Sequence, residues 1–196
     1  MSKSLALFDF DGTLTHRDSL LDFILYSCGW RKTIVGAVKL SPVLVRYKLG
    51  YMKNDKSKEY VLQYFFGGWT KYAFTEAGNS YANKRLPDIL KNEAFSKLQW
   101  HLNEGHEVAI VSASLEDWIY AWASSLGINL IATKAEVSGG LLTGKFQSRN
   151  CYGTEKVKRV KEQYDLNKYE TIFAYGDSNG DKQMLELADK KFYRSF

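Results

Sequence analysis

The stretch Leu5-Ala6-Leu7-Phe8-Asp9-Phe10-Asp11-Gly12 constrains the rest of the chain. Four consecutive apolar residues, too few for a helix and closed by a glycine-containing turn, predict a strand buried on both faces, as in a parallel sheet. Two carboxylates stand where that strand ends. In open α/β sheets, ligands bind beyond the carboxyl ends of the strands, so a carboxylate pair spaced by one residue there is a candidate reaction centre. An Asp-Gly turn accounts for Asp11-Gly12. It leaves Asp9 facing desolvation without a partner, and a metal or catalytic role supplies one.

A chain of 196 residues, 45% hydrophobic and 25% charged, suits one folded unit or a main domain with a smaller appendage. Cys28 and Cys151 are far apart and form no CxxC pair, which argues against a disulfide framework or a zinc cluster. The N-terminal residues lead into a core strand without the pattern of a signal peptide, and no apolar run is long enough to span a bilayer. The expected location is the cytoplasm, with peripheral contact at the inner membrane face as an option. A net charge of +5 favours anionic partners: phosphates, acidic lipids or nucleic acid.

From Asp18 to about Arg85 the sequence is rich in aromatic residues, Lys and Leu at helical spacing, and predicts a helical insertion. A first helix opens with Leu20, Leu21, Phe23, Ile24 and Leu25 and stops at Cys28-Gly29. A second carries Ile34, Val35, Val38 and Leu40; Ser41-Pro42 reads as an N-cap and first-turn proline restarting a helix to Leu49-Gly50. Two more helices are expected, from about Lys56 to Gly67-Gly68 and from about Thr75 to Leu86.

The α/β rhythm returns after about Asp88. A helix bearing Ile89, Leu90, Phe95, Leu98 and Leu102 ends at Gly105, and strand 107–111 delivers Ser112. A helix from Leu115 to Ser125 and a strand from Asn129 to Thr133 follow, then a hairpin around Gly139-Gly140. The helix after Gly153 carries Lys156; strand 171–175 delivers Asp177; a last helix contains Met184, Leu185 and Leu187, with Phe192-Tyr193 as a short edge strand.

Three buried strands thus end in short polar side chains: Asp9 and Asp11, Ser112, and Asp177 with Asp181 four residues on. Together with Lys156, this set suits phosphoryl transfer with a hard metal. Mg²⁺ takes one or two carboxylates plus water and phosphate oxygens, which Asp9 and Asp177 can supply. Lys156 and Ser112 can bind the remaining phosphate oxygens, and a helix N-terminus at Gly153-Thr154 adds favourable partial charge. Ser112 alone would read as a helix cap and Lys156 alone as a solvated surface lysine; their register with the carboxylates argues otherwise. His101 and His106 lie off the sheet mouth and read as structural.

These motifs resemble the haloacid dehalogenase superfamily, in particular its subfamily IB phosphatases. The resemblance is carried by Asp9-Phe10-Asp11-Gly12-Thr13-Leu14-Thr15, Ile110-Val111-Ser112-Ala113-Ser114, Lys156, and Gly176-Asp177-Ser178-Asn179-Gly180-Asp181. It implies an α/β three-layer Rossmann-like core, strand order 3-2-1-4-5, over residues 1–16 and 86–196, with a helical C1 cap at 17–85. It further implies Mg²⁺-dependent phosphomonoester hydrolysis through an aspartyl-phosphate on Asp9, with Asp11 as general acid and base. Asp9, Asp177 and the main-chain carbonyl of Asp11 would ligate the metal, and Asp181 would orient metal-bound water or Lys156.

Substrate choice would fall to the insertion. Asp18 lies nine residues after Asp9, where similar phosphoserine phosphatases carry a glutamate that reads the substrate amine. Lys32, Lys39, Arg46 and Lys53 recur every seven residues among apolar side chains, a pattern suited to anionic membrane if the helix is continuous and to a solvated cap face if Ser41-Pro42 breaks it. Expected substrates are accordingly a small phosphate ester or a lipid phosphate such as phosphatidylglycerophosphate. A phosphotransferase could use the same residues. A membrane or nucleic-acid binding module would not need the complete catalytic set, so nucleic acid is not the expected partner.

Overall fold

The computed structural model describes residues 3–196. β1 (Ser4–Phe8) is the centre of a five-stranded parallel sheet, flanked by β2 (Glu107–Leu115) and β6 (Thr171–Gly176), with β3 (Asn129–Thr133) and β7 (Lys190–Tyr193) at the edges. β4 (Ala135–Ser138) and β5 (Leu141–Phe146) form a separate hairpin. With the hairpin set aside, the observed order β3-β2-β1-β6-β7 is the expected 3-2-1-4-5.

Alternation along the strands divides the core into two layers. Ala6 and Phe8 of β1 join Ile110 and Tyr175 on one face, covered by α4 (Asn92–Asn103) and α5 (Tyr120–Ser125). Leu5 and Leu7 join Val111 and Ala174 on the other, covered by α6 (Thr154–Gln163) and α7 (Lys182–Leu185). Both faces of β1 are therefore buried, as its unbroken apolar run requires.

The segment after β1 contains α1 (Ser19–Lys48), α2 (Asn54–Phe66) and α3 (Lys71–Lys84). Their aromatic contacts centre on Phe23, whose ring lies 4.9 Å from Trp118, 5.3 Å from Phe66 and 5.4 Å from Tyr81. Asp22 is buried beneath this cluster and is held by Arg85 through two hydrogen bonds of 2.9 and 3.0 Å. The same apolar cluster continues into the α4/α5 face of the sheet.

The expected stop at Cys28-Gly29 is met by a break in the helical path: Gly29 is non-helical at φ 75° and ψ 161°, and α1 consists of two helical halves joined there at a kink. Several other sequence-based boundaries shift. Ser41-Pro42 does not restart a helix: Pro42 sits inside α1. Proline at 42 removes the amide that would bond the Val38 carbonyl, and the Ser41 hydroxyl donates to that carbonyl instead at 2.8 Å. Ile89 and Leu90 precede α4, because Leu90 bridges to Thr15 in extended form. β2 runs past Ser112 to Leu115, with a register shift against β3, so the following helix is shorter than expected. The last helix spans only Lys182–Leu185.

His101 is fully buried; its Nδ1 lies 2.7 Å from His106 Nδ1 and its Nε2 2.9 Å from the Tyr175 hydroxyl. Burial, then the neighbouring His106 and Lys97, push its pKa down from 6.5 to about 3. The unfolded chain binds a proton at His101 that the native state refuses between those values, so its neutral-form stability is present above pH 6.5 and lost as pH falls. The stability advantage of wild type over His101→Gln should therefore shrink by on the order of a few kcal/mol on acidification through this window, measured by urea denaturation. A pH-independent difference would assign His101 a packing role alone.

Candidate active site

The sheet order brings the ends of β1 and β6 side by side, with Phe8 opposite Tyr175 and the Asp9 amide donating to the Tyr175 carbonyl at 2.9 Å. The residue after each strand is then an aspartate, Asp9 or Asp177. Carboxylate oxygens of Asp9, Asp177 and Asp181 lie within 4.8 Å of one another. Gly12 closes the turn beneath them at φ 83°; a Cβ there would overlap the Asp177 carboxylate, so only glycine fits.

α6 delivers Lys156 to this cluster. Its Nζ is buried and donates to Asp9 Oδ1 at 2.5 Å, to Asp181 Oδ1 at 2.7 Å and to the Val111 carbonyl at 2.6 Å. Three acceptors use the three ammonium protons. Burial alone would lower the Lys156 pKa, but Asp9 and Asp181 outweigh it and hold the ammonium charged. Burial would raise Asp181, but Lys156 and hydrogen bonds from the Ser178 amide and hydroxyl at 2.9 and 2.6 Å keep it low. Asp9 differs: burial pushes its carboxyl up to about 7 against the pull of Lys156. Its Oδ2 accepts from the Thr13 hydroxyl at 3.2 Å, which also reaches Asp177 Oδ1 at 3.3 Å.

Asp11 belongs to a second network. Its Oδ1 accepts from the Ser19 amide at 2.7 Å and its Oδ2 from the Ser114 hydroxyl. The Ser19 hydroxyl bonds Ser114 at 3.2 Å and accepts from Trp118 Nε1 at 3.0 Å. Burial, followed by the charge of Asp18, raises the Asp11 pKa. Ser112 is buried beside this network and accepts from the Ser114 amide at 3.0 Å. Asp18 caps α1, its Oδ1 accepting from the Leu21 amide at 3.1 Å.

The structure thus joins Asp9, Lys156, Asp177 and Asp181 in one cluster, ties Ser112 to the Asp11 network and leaves Asp18 on the rim. Sequence reasoning did not single out Thr13, Ser19, Ser114 or Ser178 as contacts of these carboxylates, nor Lys58 of α2, whose Nζ reaches the Ala113 carbonyl at 3.3 Å. Nor did it find Lys91, which donates to the Gly12 carbonyl, or Arg194, which donates to the Asp177 carbonyl at 2.9 Å. Ser19 and Ser114 stand 95 residues apart and carry no local pattern.

Comparison with known proteins decides the family. Residues 6–186 match the haloacid dehalogenase-like hydrolases. The chain belongs to this family. The Protein CicA of Caulobacter vibrioides is 33% identical to this hydrolase over 194 residues, covering 98% of this chain and 86% of that protein. Among solved structures, a protein of unknown function from Bordetella pertussis Tohama I superposes with a TM-score of 0.81 at 24% identity, over 96% of this chain and 88% of that one. A substrate-bound phosphoserine phosphatase gives 0.64 at 22% identity, over 98% and 86%. At those identities the likeness is one of fold.

Removing the Lys156 ammonium leaves two buried carboxylates without their cation, an arrangement that costs about 3–5 kcal/mol when a buried pair is broken. Lys156→Met should lose stability on that scale in thermal or urea unfolding. Without the ammonium, the Asp9 carboxyl rises further above its unfolded value and Asp181 loses the charge that holds it low, so both shift upward, and stability is retained at low pH and lost as pH rises. The deficit should accordingly be larger at pH 8 than at pH 5, and a deficit that grows on acidification would contradict the ion-pair assignment.

Proposed function

We propose that this hydrolase is a Mg²⁺-dependent phosphomonoesterase acting through an aspartyl-phosphate on Asp9. The observation that supports it best is the convergence of Asp9, Asp177 and Lys156 at the mouth of adjacent parallel strands, in a family of hydrolases.

The donor set fits a hard divalent cation. All three clustered acidic side chains offer oxygen, and Asp9 Oδ2 and Asp177 Oδ1 share the Thr13 hydroxyl on the side away from Lys156. Asp9, Asp177 and the Asp11 main-chain carbonyl would hold Mg²⁺, with Asp181 outside the ligand set because Lys156 and Ser178 occupy its oxygens. When bound, the ion supplies positive charge that favours ionised Asp9 and offsets charge on the transferring phosphoryl group.

An Asp9 carboxylate oxygen attacks phosphorus as the ester P–O bond breaks, and the leaving oxygen takes a proton from Asp11. The raised pKa of Asp11 keeps that proton available. Water then attacks the aspartyl-phosphate, returns a proton to Asp11 and releases phosphate with Asp9 restored. Ser112 donates to a phosphoryl oxygen, and Lys156, which holds Asp9 in position, adds positive charge beside the phosphoryl group and binds one of its oxygens by releasing one of its three present acceptors.

Residues 17–85 act as a cap over this site. Ser19 of α1 already contacts Asp11, Lys58 of α2 reaches the Ala113 carbonyl, and Asn54 Oδ1 accepts from Asn150 at 3.2 Å. Closure there excludes water and reads the ester's organic group, with Asp18 at the rim as a contact for a substrate amine. The substrate is a small phosphate ester or a lipid phosphate, in keeping with subfamily IB.

Phosphate release from a panel comprising phosphoserine, nucleotides, sugar phosphates and micellar phosphatidylglycerophosphate tests the reading. Turnover should require Mg²⁺ and vanish with EDTA, and Asp9→Asn should fold yet lose on the order of 10³-fold or more, because an amide is a poor nucleophile. Retained turnover in that variant would remove Asp9 from the mechanism; phosphate transfer to an added alcohol in place of release would make the enzyme a phosphotransferase. Asp11→Asn should lose about 10²–10⁴-fold on alkyl phosphates, the usual worth of general acid catalysis, and far less on p-nitrophenyl phosphate. An equal loss on both esters would rule out proton donation to the leaving group.

A further inference from the structure

The half of α1 beyond its kink, Trp30 to Lys48, presents apolar side chains to solvent. At 3.6 residues per turn, Ile34, Val38, Pro42, Val45 and Leu49 at its end fall on one stripe. Val38 is 68% exposed and Leu49 65%, with Ile34 and Val45 more than half exposed. The opposite face is the one packed inward: Gly36 and Leu40 are buried, and Lys32 Nζ donates to the Phe65 carbonyl of α2 at 3.2 Å. A helix packed on a core normally buries its apolar stripe; this one has a second stripe that no other described residues cover.

The continuity of this helix through Pro42 keeps that stripe on one line. The Ser41 hydroxyl satisfies the carbonyl that proline leaves unpaired, so the surface is unbroken over residues 30–48. Lys53, which shares the seven-residue spacing, lies outside this helix as the cap of α2.

Charge selects the occupant. No acidic residue occurs between Asp22 and Asp55, whereas six basic ones do: Arg31, Lys32, Lys39, Arg46, Lys48 and Lys53. Arg46 and Lys48 are exposed on opposite margins of the stripe, with Lys39 on the Arg46 side. Trp30, 61% exposed, begins the segment with an amphipathic ring suited to the lipid headgroup level. An apolar stripe flanked by cations and free of carboxylates is complementary to an anionic bilayer surface, where apolar burial and attraction to lipid phosphates add.

We propose that the outward face of residues 30–49 docks this protein on anionic membrane, lying in the interface without crossing it; among the described residues no helix is long and apolar enough to span. This follows from the helix surface and stands whether or not the protein is a phosphatase.

The test is flotation of the full chain with vesicles of phosphatidylcholine alone or of phosphatidylcholine and phosphatidylglycerol in equal parts, with self-association followed by sedimentation. The protein should float with the anionic vesicles, remain behind with the neutral ones, and be released by salt. Val38→Asp with Val45→Asp should abolish flotation while leaving the melting temperature unchanged, and Val38→Ser with Val45→Ser should weaken it. Arg46→Gln with Lys48→Gln should weaken binding roughly tenfold or more at low salt, since each basic residue near an anionic surface contributes about 1 kcal/mol. Absence of flotation, flotation insensitive to the Val38 and Val45 substitutions, or a dimer that those substitutions dissolve would overturn the proposal; the last would identify a second copy as the occupant.

Discussion

The Lys156 ammonium is the interaction on which the site depends. It is buried, and every proton it carries meets an acceptor from a different part of the chain: Asp9 after β1, Val111 in β2 and Asp181 at the start of α7. A lone buried ammonium would be unstable, and so would two neighbouring buried carboxylates; together the ammonium is fully compensated and the carboxylates are partly so. The arrangement ties the end of β1, the middle of β2 and the start of α7 to α6 at once. It also leaves Asp9 in a distinct electrostatic state from Asp181, because Asp181 receives additional donors from Ser178 and Asp9 receives only the Thr13 hydroxyl. Two carboxylates sharing one cation are thereby separated in their affinity for a proton.

Sheet topology makes this convergence possible. Because β1 pairs in parallel with both β2 and β6, all three strands end at the same edge, and whatever residue follows each strand is delivered to one place. Burial on both faces makes register costly to change, since a one-residue slip would exchange the α4/α5 layer with the α6/α7 layer. The positions of Asp9 and Asp177 are therefore consequences of hydrophobic packing along the strands, and the polar chemistry rests on an apolar foundation.

What was legible in the sequence follows from which interactions are local. Leu5–Phe8 and Thr171–Tyr175 read as strands because a short apolar run bounded by turn residues has few other solutions, and the aspartates after them were found by adjacency. The strand order came through resemblance, since spacing alone does not order parallel strands. Ser41-Pro42 has the pattern of a cap and first-turn proline, but proline's effect on a helix depends on whether another donor reaches the freed carbonyl, and here the Ser41 hydroxyl does. Ser112 follows the apolar run of its strand, yet β2 continues to Leu115 across a register shift against β3. Ser19, Ser114 and Trp118 could not be connected to Asp11 from sequence, because the network exists only when the first turn of α1 is folded against β2.

That network links the helical segment to Asp11. Asp11 is held on one side by an amide of α1 and on the other by a hydroxyl of β2, while Trp118 anchors both through Ser19 and stacks on Phe23 in the aromatic cluster. The donors lower the proton affinity of Asp11, whereas burial and the nearby Asp18 charge raise it, and the net effect is upward. Since the Ser19 amide belongs to α1 and burial depends on the packing around Phe23, the proton affinity of Asp11 is set by how α1 sits against the sheet. The same helix that orients Asp11 at its first turn carries the exposed basic and apolar surface beyond its kink. The Gly29 kink divides it into a half packed on the aromatic cluster and a half with a free face, so one continuous stretch of chain joins the acid residue to the molecular surface.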